Sequence, residues 1–223
     1  MKKIAVIVAG GAGSRMGATI PKQFLLLQNK PILWHTINAF TQTFTDIEII
    51  IVLPEMHIEE GKSIADTFKT SHKITCIQGG LTRFDSVKNG LTQITEDCIV
   101  FVHDGVRCLL SSDLINNCYH QAKAKGSAIP AVAATDSIRL VEGNTSHIAD
   151  RNKVRLVQTP QTFKSNILLE AFKQPYQDSF TDEANVVEAF GKEVHLIEGD
   201  YNNIKITRPL DLIIAEKILE ERK

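Results

Sequence analysis

The chain has 223 residues, a net charge of −1, 43% hydrophobic and 23% charged residues. That size fits one α/β domain with at most a small appendage, and the balance is that of an ordinary globular protein. The near-neutral charge excludes a bulk electrostatic basis for binding nucleic acid or an anionic membrane, so an anion site must come from a local group of cations.

In chain order, residues 4–8 are a continuous apolar, β-branched run that stops at glycines, the pattern of a strand buried on both faces. At six residues, the apolar run 4–9 is too short for a signal segment or a membrane span. Helical periodicity over 32–40 follows, then an apolar run at 47–53, a helix over 58–68 and a short run at 74–77. A helix over 86–94, a run at 98–102, a helix over 114–124 and a run at 128–132 continue the alternation. This predicts a Rossmann-like, three-layer α/β fold: a mostly parallel twisted sheet with helices on both faces.

Residues 134–157 break the rhythm, with the arm itself over 136–157. Residues 136–141 alternate polar with apolar, Glu142-Gly143-Asn144 reads as a turn, and a weaker alternating stretch follows. This predicts a β-hairpin arm. Because an isolated hairpin is marginal, the arm is expected to pack on a second copy of the chain, giving a homodimer. A strand at 194–197 and a helix at 210–220 behind Pro209 close the chain. No linker or repeat divides it, so a single domain over 1–223 is expected. The four cysteines, Cys76, Cys98, Cys108 and Cys118, form no CxxC pair. They read as reduced thiols of a cytoplasmic protein.

The sharpest signal is the loop after the first run, Ala9-Gly10-Gly11-Ala12-Gly13-Ser14-Arg15-Met16-Gly17. Glycines let backbone N–H groups close on an anion. The P-loop string GxxxxGK[ST] is absent, and GxGxxG fails because Met16 stands where its last glycine would fall. The second strand ends Val52-Leu53-Pro54, without the acidic residue of a dinucleotide site. Instead the loop holds a cation, Arg15, with Lys22 seven residues on. Two such charges alone would be a solvated surface pair. In a glycine loop leaving a buried strand they suit a nucleotidyl transfer, whose departing pyrophosphate needs cations fixed in advance.

Further on, Gly79 and Gly80 open a turn into the third helix, and Asp104 ends the fourth apolar run. A carboxylate at the carboxyl end of a buried strand faces the ligand crevice of an open sheet, which makes Asp104 the candidate Mg²⁺ ligand. Thr181-Asp182-Glu183-Ala184 reads mainly as a helix start with Thr181 as its cap.

Taken together, GGxGxRMG…PKQF, GGxxRxxSVxNGL, HDxxR, QTPQxF and GDxxNIKITxPxDL resemble nearly end to end the nucleotidyltransferases that make CDP-alditols. Within them, the strings are most similar to the 2-C-methyl-D-erythritol 4-phosphate cytidylyltransferase family of non-mevalonate isoprenoid precursor synthesis. The resemblance implies CTP as donor, Mg²⁺ as cofactor and a small alditol phosphate as acceptor. It runs Ala9, Gly10, Gly11 and Gly13 along the nucleotide, and sets Gly80, Leu81 and Ser86 on the cytosine and ribose. Leu81 stands where an acidic residue is often seen, which is harmless if the contact is through the main chain.

On the acceptor side the resemblance implies Arg107, Arg151 and Lys205, with Thr135 and Thr159 beside them. Arg151, on the arm, is open to serving its own site or a partner's. Asn202 or Asn203 could approach the metal, and Asp211 supports the last helix. Cys108 stands where a proline is usual, a change of loop rigidity. An acceptor phosphate is already an anion, so His103 is not expected to act as a base. The alternatives are a ribitol-5-phosphate cytidylyltransferase, disfavoured by the Arg15-to-Lys22 spacing, and a non-catalytic nucleotide-binding protein, disfavoured by the presence of Arg15, Lys22, Asp104, Arg151 and Lys205.

Overall fold

The run KKIAVIV forms strand β1 (Lys2–Val8) at the heart of an eight-stranded sheet. The computed structural model describes residues 1–10, 20–68 and 72–222. After β1 come the short β2 (Leu26–Leu27) and β3 (Lys30–Pro31), α1 (Ile32–Thr43), β4 (Ile47–Leu53), α2 (Ile58–Asp66) and β5 (Ile74–Gln78). The middle of the chain adds α3 (Arg83–Leu91), β6 (Cys98–Asp104), α4 (Ser112–Lys125) and β7 (Ser127–Ala133). The remainder comprises β8 (Ile138–Glu142), β9 (Thr145–Ala149), β10 (Arg155–Val157), β11 (Gln161–Lys164), α5 (Ser165–Ala171), α6 (Glu183–Ala189), β12 (Leu196–Glu198) and α7 (Pro209–Glu221).

β1 pairs in parallel with β4 and β6, and β4 with β5, as the alternation predicts. Side-chain period 2 then sorts the core. Ala5, Ile7, Ile49, Ile51 and Leu53 meet helices α1, α2 and α4 on one face. Ile4, Val6, Ile50 and Val52 meet α3, α5 and α6 on the other. Gly90 lets α3 lie close: a Cβ there would come within 2.5 Å of Val6 Cγ1.

β11 and α5 lay beyond the sequence reading, whereas α6 follows the helix start expected at residues 181–184. β11 has the sequence QTFK, with no apolar run and no clean alternation, yet it is buried between β6 and β7, antiparallel to both. Its neighbours supply the burial that its own pattern does not announce. Helix α3 begins at Arg83 rather than at residue 86. The Thr82 hydroxyl accepts from Asp85 N (3.0 Å) while the Asp85 carboxylate accepts from Thr82 N (3.1 Å), and this capping box draws the helix back to residue 83. The start of α6 is capped by Asp182, whose Oδ1 accepts from Asn185 N at 2.9 Å, and not by Thr181 as expected.

β8 and β9 form a separate two-stranded antiparallel sheet. Its Leu140, Val141 and Ile148 are exposed. α7 packs through Ala215 on Leu27, Ile32, Val106, Leu109 and Ile206, which ties the C-terminal region to the loop after β6. Asp211 serves this helix: one carboxylate oxygen accepts from Thr207 N (2.7 Å), Thr207 Oγ1 (2.8 Å) and Arg208 N (2.8 Å). Burial pushes the carboxyl up, but these donors outweigh it and hold it below its ordinary value. Asp211→Ala is expected to lower unfolding free energy by about 1 kcal/mol in urea titration. Because the folded carboxyl is depressed, that contribution is present at neutral pH and disappears as pH falls through its lowered value.

Candidate active site

Four parallel strands end at one cavity of about 660 Å³, lined by Val8 of β1, Leu53 of β4, Gln78 of β5 and Asp104 of β6. This is the carboxyl edge of the parallel strands, where open α/β sheets take their ligands. Ala9, Gly10, Lys22, Gly80, Leu81, Ser86 and Lys205 also line it, although they come from distant parts of the chain. Arg15, Gly11 and Gly13 lie outside the described residues.

Lys22 opens a 3-10 turn, Lys22–Phe24, and is 8% exposed. The neighbouring Gln23 pins the turn to β1 by donating to the Ala9 carbonyl (2.8 Å). At the β5–α3 corner, Ser86 Oγ accepts from Gly80 N (3.1 Å) and donates to the Thr82 carbonyl (2.9 Å). Gly80 is tightly packed there: a Cβ would fall 2.2 Å from Asp85 Cβ. Leu81, by contrast, is fully exposed at the cavity mouth.

Asp104 is the electrostatic centre. Lys205 Nζ lies 2.7 Å from Oδ2, Arg83 Nη2 3.3 Å from Oδ1 and Arg107 Nε 3.9 Å from Oδ2. Burial alone would raise its carboxyl, but Arg83, Lys205 and Arg107 hold it well below the ordinary carboxylate range. Asp104 therefore presents a charged oxygen to the cavity. Among the described residues no three His, Cys, Asp or Glu side chains form a metal cage. One carboxylate beside a cavity of this size fits Mg²⁺, which keeps waters and shares substrate phosphates instead of taking an all-protein shell.

The other expected residues divide. Thr159 stands behind Asp104, its Oγ1 accepting from Asp104 N (3.1 Å) and lying 2.9 Å from His103 Nδ1. His103 is wholly buried, bonded also to the Arg107 carbonyl (3.0 Å), and burial pushes its imidazole down to about 4. That neutral ring supports the strand end and has no opening for base chemistry. Arg107 donates to the Asn203 carbonyl (2.8 Å), while its buried Nε has no hydrogen-bond partner among the described residues. Asn203 in turn donates to the Thr159 carbonyl (2.9 Å). Arg151 and Thr135 stand apart from the cavity of their own chain, Arg151 donating to the Thr135 carbonyl at 2.9 Å.

Two side chains to which the sequence reading assigned no chemistry belong to this constellation. Arg83 lines the cavity and pairs with Asp104 and with the buried Glu183. Its only sequence signal was its place inside GGxxRxxSVxNGL. Glu183 was masked by its place in the first turn of a helix, where an acidic residue is commonplace.

Comparison with known proteins identifies the family. The family model described as "2-C-methyl-D-erythritol 4-phosphate cytidylyltransferase" matches residues 3–221. A protein of that name from Azobacteroides pseudotrichonymphae is 47% identical over 98% of this chain and 99% of its own length. One from Porphyromonas gingivalis is 44% identical over 98% of both chains. The crystal structure of the Francisella tularensis protein of the same name superposes with a TM-score of 0.81 at 33% identity, covering 98% of this chain and 100% of that one. The structure of the 4-diphosphocytidyl-2C-methyl-D-erythritol synthase of Anaerococcus prevotii gives a TM-score of 0.83 at 25% identity, over 98% of each chain. The chain belongs to the 2-C-methyl-D-erythritol 4-phosphate cytidylyltransferase family.

Proposed function

We propose that this chain transfers the cytidylyl group of CTP to 2-C-methyl-D-erythritol 4-phosphate, releasing pyrophosphate, as a step of non-mevalonate isoprenoid precursor synthesis. The observation that carries this reading is the meeting of Lys22, Asp104 and Lys205 on one cavity at the carboxyl edge of the parallel strands. An oxygen of the acceptor phosphate attacks the α-phosphorus of CTP. The bond to the bridging oxygen breaks, and pyrophosphate departs with its electron pair. No proton need be removed from the attacking oxygen, in keeping with a buried, neutral His103.

Ala9, Gly10 and the loop beyond them hold the nucleotide, and Gly80, Leu81 and Ser86 flank its base and ribose. Lys22, together with Arg15, offsets charge on the departing pyrophosphate. Lys205 orients the acceptor phosphate, with Arg107 and Thr159 behind it. Asp104 would hold Mg²⁺, which would offset part of the triphosphate's charge and act as a Lewis acid toward the α-phosphate. The reading is tested by pyrophosphate release from CTP with each alditol phosphate in turn. Turnover with the methylerythritol phosphate is expected; turnover with ribitol 5-phosphate alone would overturn the acceptor, and none with either would overturn the activity.

The chain further acts as a homodimer in the cytoplasm. Free, buried Cys98, Cys108 and Cys118 suit a reducing compartment. The exposed apolar residues on β8 and β9 suit burial against a second copy, and Arg151 and Thr135 on that arm then serve the partner's site. Mixing inactive Lys22→Ala and Arg151→Ala subunits tests this. A symmetric dimer with a shared site regains about a quarter of wild-type activity, because half the subunits pair as hybrids and each hybrid has one intact site. No recovery would assign Arg151 to its own subunit.

A further inference from the structure

Glu183 is a carboxylate with no exposure, and its two oxygens both accept from Arg83, through Nη1 and Nη2. It does not line the cavity. Arg83, from the first turn of α3, does line it, and turns its Nε (3.4 Å) and Nη2 (3.3 Å) toward Oδ1 of Asp104. Lys205 takes the other oxygen, Oδ2, at 2.7 Å. The Asp104 carboxylate is thus gripped at both oxygens by cations from different parts of the chain.

Glu183 is itself held from both sides. Gln161 of β11 donates to Asp182 Oδ2 (2.9 Å) and accepts from Ala184 N (2.8 Å), tying the first turn of α6 to the strand beside β6. The chain from β11 through Glu183 and Arg83 to Asp104 is therefore continuous. Stability alone does not explain it, since a buried ion pair commonly stabilises no better than apolar residues of the same volume. The planar guanidinium fork does something an apolar pair cannot: it sets the rotation of a carboxylate.

We infer that Glu183 and Arg83 are positioning residues that orient the Asp104 carboxylate for the divalent cation, Glu183 anchoring Arg83 and Arg83 fixing Oδ1. The inference rests on the assignment of the cation to Asp104 in the proposed function. Lys205, more exposed than Arg83, is the partner that can leave Asp104 for an incoming phosphate, while Arg83 stays in place.

The test uses Glu183→Gln, which keeps the shape and removes the charge, and Arg83→Lys, which keeps the charge and removes the fork. Mn²⁺ binding is followed by electron paramagnetic resonance in the presence of CTP and without acceptor, beside steady-state kinetics in Mg²⁺. Glu183→Gln is expected to weaken Mn²⁺ binding and lower kcat by about 10–100-fold, with KM for the acceptor within about twofold, since groups that orient metal ligands carry effects of that size. Raising Mg²⁺ recovers part of the lost kcat. A folded Glu183→Gln enzyme with wild-type Mn²⁺ affinity overturns the inference, whatever its melting temperature. If Glu183→Gln does not fold, Arg83→Lys decides by the same criterion. Asp104→Asn is the reference: should it bind Mn²⁺ as tightly as the wild type, the metal assignment fails and the inference with it.

Discussion

Lys22→Ala is expected to lower kcat by about three orders of magnitude, about 4 kcal/mol of barrier, while CTP still binds. The ground-state triphosphate keeps its backbone cradle and its cation when this side chain is removed. What it loses is a charge fixed where negative charge grows as the bond to pyrophosphate breaks. Interactions that strengthen only in the transition state appear in kcat more than in ground-state binding. Lys22 is suited to this because it is ordered in advance: largely buried, on a short 3-10 turn after Pro21, beside a glutamine bonded to the end of β1. Single-turnover pyrophosphate release, with CTP affinity measured separately, checks the split. A fall confined to CTP affinity, with the chemical step unchanged, would remove Lys22 from the leaving-group role.

Asp104→Asn is expected to lower kcat by at least about a thousandfold and also to lower stability, by about 3 kcal/mol or more. Two separate causes act. The amide cannot offer a charged oxygen to a divalent cation, and it leaves Arg83, Lys205 and Arg107 facing one another without their common counter-charge. The second cause alone would destabilise the free enzyme and leave metal affinity in the surviving folded fraction unchanged. Urea titration together with Mn²⁺ binding in the presence of CTP therefore separates them. Near-wild-type turnover in the folded variant would mean that the cation is held elsewhere.

The apolar runs that became β1, β4 and β6 were legible because a strand buried on both faces must be apolar at nearly every position. That alone predicted a parallel sheet and its carboxyl edge. The glycine turns, Lys22 and Asp104 were legible as residue types that a phosphate site requires, and Lys205 through the resemblance of its string to the family's. β11 was not, since QTFK is buried only because β6 and β7 enclose it. Nor was the start of α3, set by a side-chain cap that outweighs hydrophobic period. Arg107 illustrates the limit: the resemblance implies that it faces the acceptor phosphate, and only the tertiary structure shows its guanidinium donating to the Asn203 carbonyl.

The sequence by itself determined the class of fold, through hydrophobic periodicity, and the family, through strings that resemble that family's nearly end to end. Only the tertiary structure decided what surrounds Asp104. Arg83, Glu183 and Lys205 stand far apart along the chain, and no local pattern couples their charges. Their meeting depends on α3, α6 and the segment before α7 folding onto one edge of the sheet, where burial makes each charge depend on the others.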